Sequence, residues 1–190
     1  MIDSQRMQAV QSPVIPHVAA LIRENPGTIS LGQGVVHYPP PPQAMREAAD
    51  FGSTVPEHHY QAACGLPELQ KALRQKLAAE NQIASADDQI PMVTAGSNMG
   101  FYYALLAVAD PGDEIIIMSP FYFNHEMAIG MANCRVVLVA TDAHYQLDLD
   151  AIAAAITSRT RAIVTISPNN PSGAVYRPAD LTAVNQLCRE

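Results

Sequence analysis

Lysine is almost missing from this chain: only Lys71 and Lys76 occur in 190 residues. Both fall within residues 66–81, where Leu66, Leu69, Leu73 and Leu77 recur at helical spacing among Arg74, Gln75 and Glu80. That spacing predicts a helix with both amines on a solvated flank. Cysteine is equally sparse. Cys64, Cys134 and Cys188 are odd in number and widely spaced, which fits neither a disulfide framework nor a zinc motif. The longest apolar run, residues 101–109, falls well short of the roughly 20 residues that span a bilayer. With no basic region followed by an apolar block at the N-terminus, the expected location is cytoplasmic. Basic residues number 11 against 18 acidic, for a net charge of -7, and they are scattered. Neither nucleic acid nor a membrane is therefore an expected partner. His58 and His59 are adjacent, and adjacent positions on a helix or strand point apart, so no metal site is expected.

What is present reads as an α/β domain. The chain is 48% hydrophobic and long enough for one sizeable core. Short apolar runs rich in β-branched residues predict strands at 90–94, 114–118, 135–140 and 161–166. Helices are expected at 43–50, 66–81, 97–109, 125–132, 149–156 and from Pro178 onward. Alternation of this kind implies a mostly parallel sheet with flanking helices. Residues 1–42 read as an N-terminal arm and an extended, proline-rich loop, and 43–190 as the α/β domain. The last helix has apolar positions at Leu181, Val184 and Leu187 but no Gly or Asn cap. Its apolar stripe would be covered by a further strand, so the sheet is expected to be partial and the chain the N-terminal piece of a longer one.

Three segments that follow strand patterns carry chemistry. In Thr94-Ala-Gly96-Ser97-Asn98 a strand turns through glycine into a helix, leaving free N–H groups at the positive end of the helix dipole, a phosphate cradle. Ser97 fits a plain helix N-cap equally well. Ser119-Pro-Phe-Tyr122 places aromatic rings at the carboxyl end of a strand, where open parallel sheets bind ligands; core packing is the other explanation. Asn169-Asn170-Pro-Ser-Gly173 is ordinary turn chemistry that also offers an amide to a ring oxygen. Together they describe a site for a phosphorylated aromatic cofactor.

The order Gly34, Tyr60-Gln-Ala-Ala-Cys-Gly65-Leu-Pro-Glu-Leu69, Thr94-Ala-Gly-Ser-Asn98, Pro111-Gly-Asp113, Ser119-Pro-Phe-Tyr122 and Asn170-Pro-Ser-Gly173 resembles the N-terminal half of class I/II aminotransferases, pyridoxal phosphate enzymes of fold type I. The resemblance runs from about residue 12 onward. It implies an incomplete cofactor-binding large domain with pyridoxal 5'-phosphate as cofactor, and an amino acid and a 2-oxo acid as substrates. Gly96, Ser97 and Asn98 would bind the cofactor phosphate, Tyr122 would stack on the pyridine ring, and Asn170 would donate to its phenolic oxygen. Tyr60 would reach the phosphate of the partner subunit's cofactor in a homodimer. Gly34 would lie beside the substrate carboxylate, making 1–42 an arm plus a substrate-side loop. Cis peptides are expected before Pro120 and Pro171. Residues 30–36 (Ser-Leu-Gly-Gln-Gly-Val-Val) and 121–124 (Phe-Tyr-Phe-Asn) are nearest to the aromatic and methionine aminotransferase-like branch.

In that family a lysine forms a Schiff base with the cofactor and lies well beyond the Asn-Pro turn. Lys71 and Lys76 precede the phosphate loop, so neither is a candidate, and the 190 residues alone are expected to be inactive in transamination. Two other readings stand beside this one. One is a non-catalytic phosphate-binding half-domain acting through a partner chain; the other is a carbon–sulfur lyase of the same fold. A nucleotide-binding domain is disfavoured, since neither G-x-G-x-x-G nor G-x-x-x-x-G-K-[ST] occurs.

Overall fold

The computed structural model describes residues 4–8, 10–11, 14–32, 34, 36–84, 86 and 88–189. In chain order its helices and strands are α1 (Gln5–Gln8), α2 (Val14–Glu24), α3 (Pro42–Asp50), a 3-10 turn (Val55–His58), α4 (Pro67–Asn81), α5 (Ser97–Val108), β1 (Glu114–Ser119), α6 (Phe123–Met131), β2 (Arg135–Ala140), α7 (Leu149–Ala155), β3 (Thr160–Val164) and α8 (Pro178–Leu187). They divide into two compact units, one of residues 1–12 with 94–190 and the other of residues 13–93.

The first unit is built around β1. Among the described residues its sheet has three strands in the order β2-β1-β3, and β1 pairs in parallel with both neighbours. A central parallel strand is covered on both faces, which is why Glu114 to Met118 are all buried and the run does not alternate. Ile116 and Met118 pack with Val139, Leu147, Ile152, Tyr176 and Val184 on the side of α7 and α8. Ile115 and Ile117 pack with Leu105, Ile129 and Ala132 on the side of α5 and α6. Each fully buried isoleucine contributes about 1.5–3 kcal/mol relative to exposure.

The amino end of the sheet is fastened by one carboxylate. Glu114, whose side chain is 1% exposed, accepts from Thr157 Oγ1 at 2.7 Å and from Arg159 Nη2 at 2.7 Å, with Arg135 Nε at 3.6 Å. The Thr157 hydroxyl first, then Arg159, holds its pKa below the ordinary glutamate value. This places the charged fastening at the end of β1 opposite Ser119, and leaves the carboxyl ends of the strands free for other work.

The second unit holds α2, α3, the 3-10 turn and α4. All six helices expected from residue 43 onward begin within two residues of their sequence-derived starts, with Pro42, Pro67 and Pro178 each in a first turn that needs no proline N–H. One expectation fails. Residues 90–94 form no ladder and lie in neither a helix nor a strand. Pro91 has no N–H to donate, its carbonyl accepts from Gln70 Nε2 at 2.7 Å, and the Gln89 carbonyl accepts from Arg74 Nη2 at 2.6 Å. Side chains of α4 thus take two carbonyls at the start of this segment.

Candidate functional site at the carboxyl edge of the sheet

The site is assembled from three chain reversals in the first unit. α5 runs through Pro111-Gly112 into the start of β1, so its own amino end lies toward the carboxyl end of that strand. α6 starts four residues after β1 finishes. Phe101, in the second turn of α5, stacks on His125, in the first turn of α6, with ring centroids 3.9 Å apart and planes 17° apart. Both helix amino ends therefore sit at one level, at the sheet's carboxyl edge.

At the first reversal Gly96 is the residue before the helix, with φ 86 and ψ 164, a region that only glycine occupies without strain. No side chain caps α5, so Ser97 is not the N-cap that its residue type suggested. The first helical N–H groups have no carbonyl four residues back. Those of Ser97, Asn98 and Met99 have no acceptor among the described residues. Gly96, Ser97 and Asn98 are exposed, and a Cβ built on Gly96 would meet no atom within 4 Å. Three unpaired donors at the positive end of a twelve-residue helix, over open space, suit an oxyanion such as phosphate.

The second reversal carries Tyr122. Its Oη accepts from Asn124 Nδ2 at 2.5 Å, and its ring meets His125 edge-on at 5.3 Å. The tyrosine plane is thereby fixed from two sides. Burial alone pushes the His125 pKa below the ordinary histidine value, and its Nδ1 is buried without a partner among the described residues.

The third reversal follows β3. Asn169 is 6% exposed and Asn170 is exposed. The Asn169 amide donates to Pro120 O and to Tyr176 Oη, each at 3.3 Å, and its Oδ1 accepts from Ser172 Oγ at 2.8 Å and Ser172 N at 3.1 Å. The Asn170 amide has no partner among the described residues and is available to a ligand. The peptides Ser119–Pro120 and Asn170–Pro171 are cis, as is Ser167–Pro168, which was not anticipated.

Gly96, Ser97, Asn98, Tyr122 and Asn170 are thus all carried by one edge of one unit. A phosphate would meet the helix donors, a flat ring the Tyr122 face, and a ring oxygen the Asn170 amide; the residues present fit a phosphorylated pyridine. A concavity of about 350 Å³, lined by Asn98, Met99, Phe101, Tyr102, Asn124 and Met127 among others, adjoins the start of α5. Gly34 and Tyr60 belong to the second unit. Gly34 is exposed, and Tyr60 is fully exposed with no partner among the described residues. Asn169 opened the third segment and Asn124 closed the 121–124 motif read from the sequence, but neither was given a role of its own, and His125 was not singled out. The adjacency of Asn124 and His125 to Tyr122, and of Asn169 to Asn170, was the available signal.

Comparison with known proteins bears on what this edge belongs to. The family model for aminotransferase class I and II matches residues 26–190. An aspartate aminotransferase of Rhizobium meliloti is 38% identical over 164 residues, 85% of this chain and 40% of that protein. An aromatic aminotransferase of Arabidopsis thaliana is 30% identical over 193 residues, covering 98% of this chain and 48% of that one. The crystal structure of YbdL from Escherichia coli, described as having a methionine aminotransferase function, superposes with a TM-score of 0.87 at 26% identity, over 100% of this chain and 49% of that one. The chain spans half or less of the length of these relatives. A parallel sheet with donors, ring and amide at its carboxyl edge, in a sequence matched by that family from residue 26 to 190, makes this chain a member of the class I and II aminotransferases.

Proposed function

We propose that this chain supplies the cofactor-binding edge of a pyridoxal 5'-phosphate-dependent amino-acid aminotransferase. The observation that carries the reading is the set of three unpaired N–H groups at Ser97, Asn98 and Met99, in the same unit and at the same edge as Tyr122 and Asn170. Ser97 and Asn98, with Met99, hold the phosphate on their N–H groups, while Gly96, whose own N–H goes to Thr94 O at 2.8 Å, forms the turn that aims them; Tyr122 covers one ring face, and Asn170 donates to the phenolic oxygen. Gly34 offers its backbone to the substrate carboxylate. Tyr60, whose phenol has no partner among the described residues, reaches the cofactor phosphate of the partner subunit in a homodimer. The bound cofactor supplies an electron sink for bond breaking at the substrate α-carbon.

The proposed amino donor is an aromatic amino acid or methionine, with a 2-oxo acid as acceptor, in the cytoplasm. Residues 30–36 and 121–124 support that branch, as do the aromatic and methionine aminotransferase activities for which the Arabidopsis and Escherichia coli relatives are named. Aspartate is the second reading, favoured by the 38% identity to the Rhizobium protein. Lys71 and Lys76 both lie in α4, before the phosphate loop, whereas the resemblance places the Schiff-base lysine well beyond the Asn-Pro turn, and Lys76 is paired with Glu80. These 190 residues therefore bind without completing transamination.

Pyridoxamine 5'-phosphate tests this directly, because its binding needs no lysine. Saturable binding, competed by inorganic phosphate and weakened about tenfold by Asn170→Ala, is the expected result, with no amino acid formed when a 2-oxo acid is added. Binding untouched by phosphate and by Asn170→Ala would remove the reading.

A further inference from the structure

We infer that Asn169 is a positioning residue that locks the two ring-binding reversals to each other, so that Asn170 and Tyr122 keep one fixed spacing. This rests on the cofactor reading above for its purpose, but not for its geometry.

The side chain of Asn169 is in contact with both reversals. One amide proton goes to the carbonyl of Pro120, two residues before Tyr122 and 49 residues away in sequence. The other goes to the hydroxyl of Tyr176, which is 2% exposed. The amide oxygen takes two bonds from Ser172 and closes the turn that follows. The backbone is equally engaged: Asn169 N donates to Ala174 O and Gly173 N donates to Asn169 O, both at 2.8 Å. All four hydrogen-bonding positions of a buried amide are thus used within the protein, so Asn169 itself has nothing left for a ligand. Its neighbour, held on the same cis turn, has both amide groups free. β1 and β3 are adjacent parallel strands, but their ladder ends at Ile117–Val164. Beyond that pair the two strands share no ladder, and the Asn169–Pro120 bond joins the segments that follow them.

Asn169→Asp separates this role from simple turn closure. The carboxylate keeps an acceptor for Ser172 but loses both donors, including the one to Pro120. Two readouts are needed. Without ligand, amide hydrogen exchange should rise in residues 119–124 as well as in 167–175. With pyridoxamine 5'-phosphate, affinity should fall about tenfold in the natural background and at most about threefold in an Asn170→Ala background, since the two residues act through one contact. Faster exchange confined to 167–175, or an equal loss of affinity in both backgrounds, would overturn the proposal. Tyr176→Phe removes only the other partner of the amide and should leave 119–124 unchanged; opening that segment as widely as Asn169→Asp does would count against it. Where Asn169→Asp does not fold, Asn169→Ala carries the same readouts. Coupled exchange in a protein that binds no pyridoxamine phosphate would uphold the lock and overturn only the cofactor reading.

Discussion

Asn169 and Asn170 are chemically identical neighbours that the fold treats in opposite ways, one consumed by internal bonds and one presented to solvent. The likeness to known aminotransferases singled out Asn170. Asn169 was not legible, because its decisive partner is the carbonyl of Pro120, a contact that no local pattern encodes. His125 was hidden for the same reason: its surroundings are Phe101, from another helix, and Tyr122. That environment has a measurable consequence. Burial lowers the His125 pKa, so the unfolded chain takes up a proton before the folded one does as pH falls. The stabilisation is complete above the ordinary histidine pKa and is lost as pH falls through the lowered one. Urea unfolding followed across that window should show stability declining, and His125→Phe, which keeps a ring on Phe101, should flatten that part of the profile. An unchanged slope in the variant would mean that His125 does not set it.

At the scale of elements, spacing and turn chemistry were good guides wherever an element makes its own bonds. The leucine repeat marked α4, the isoleucine run marked β1, and the glycine before Ser97 marked the start of α5. They failed at residues 90–94, where an apolar composition suggested a strand. Pro91 and the α4 side chains bonded to the carbonyls of 89 and 91 decide otherwise. The start of α5 yields a prediction at this scale. Alanine at Gly96 has room for its methyl group but not the backbone freedom, since φ 86 with ψ 164 is a glycine conformation. Gly96→Ala should cost about 1–3 kcal/mol in chemical unfolding and re-aim the first helical N–H groups. Phosphate or pyridoxamine phosphate affinity should fall with it. Unaltered affinity would mean that those N–H groups do not hold the phosphate.

At the scale of the whole molecule, the alternation of short apolar runs with helical segments pointed to a mostly parallel sheet flanked by helices, and the burial of β1 on both faces agrees with it. The polar fastening around Glu114 lies at one end of that sheet, and the exposed donors, the half-buried Tyr122 ring and the exposed Asn170 amide lie at the other. This polarity supports the proposal that the carboxyl edge binds the cofactor. The most direct test is a crystal structure of the chain with pyridoxamine 5'-phosphate. The account predicts phosphate oxygens on the N–H groups of Ser97, Asn98 and Met99, the ring against Tyr122, and the Asn170 amide at the phenolic oxygen. Ligand bound elsewhere, or an empty edge in the presence of excess ligand, would contradict it.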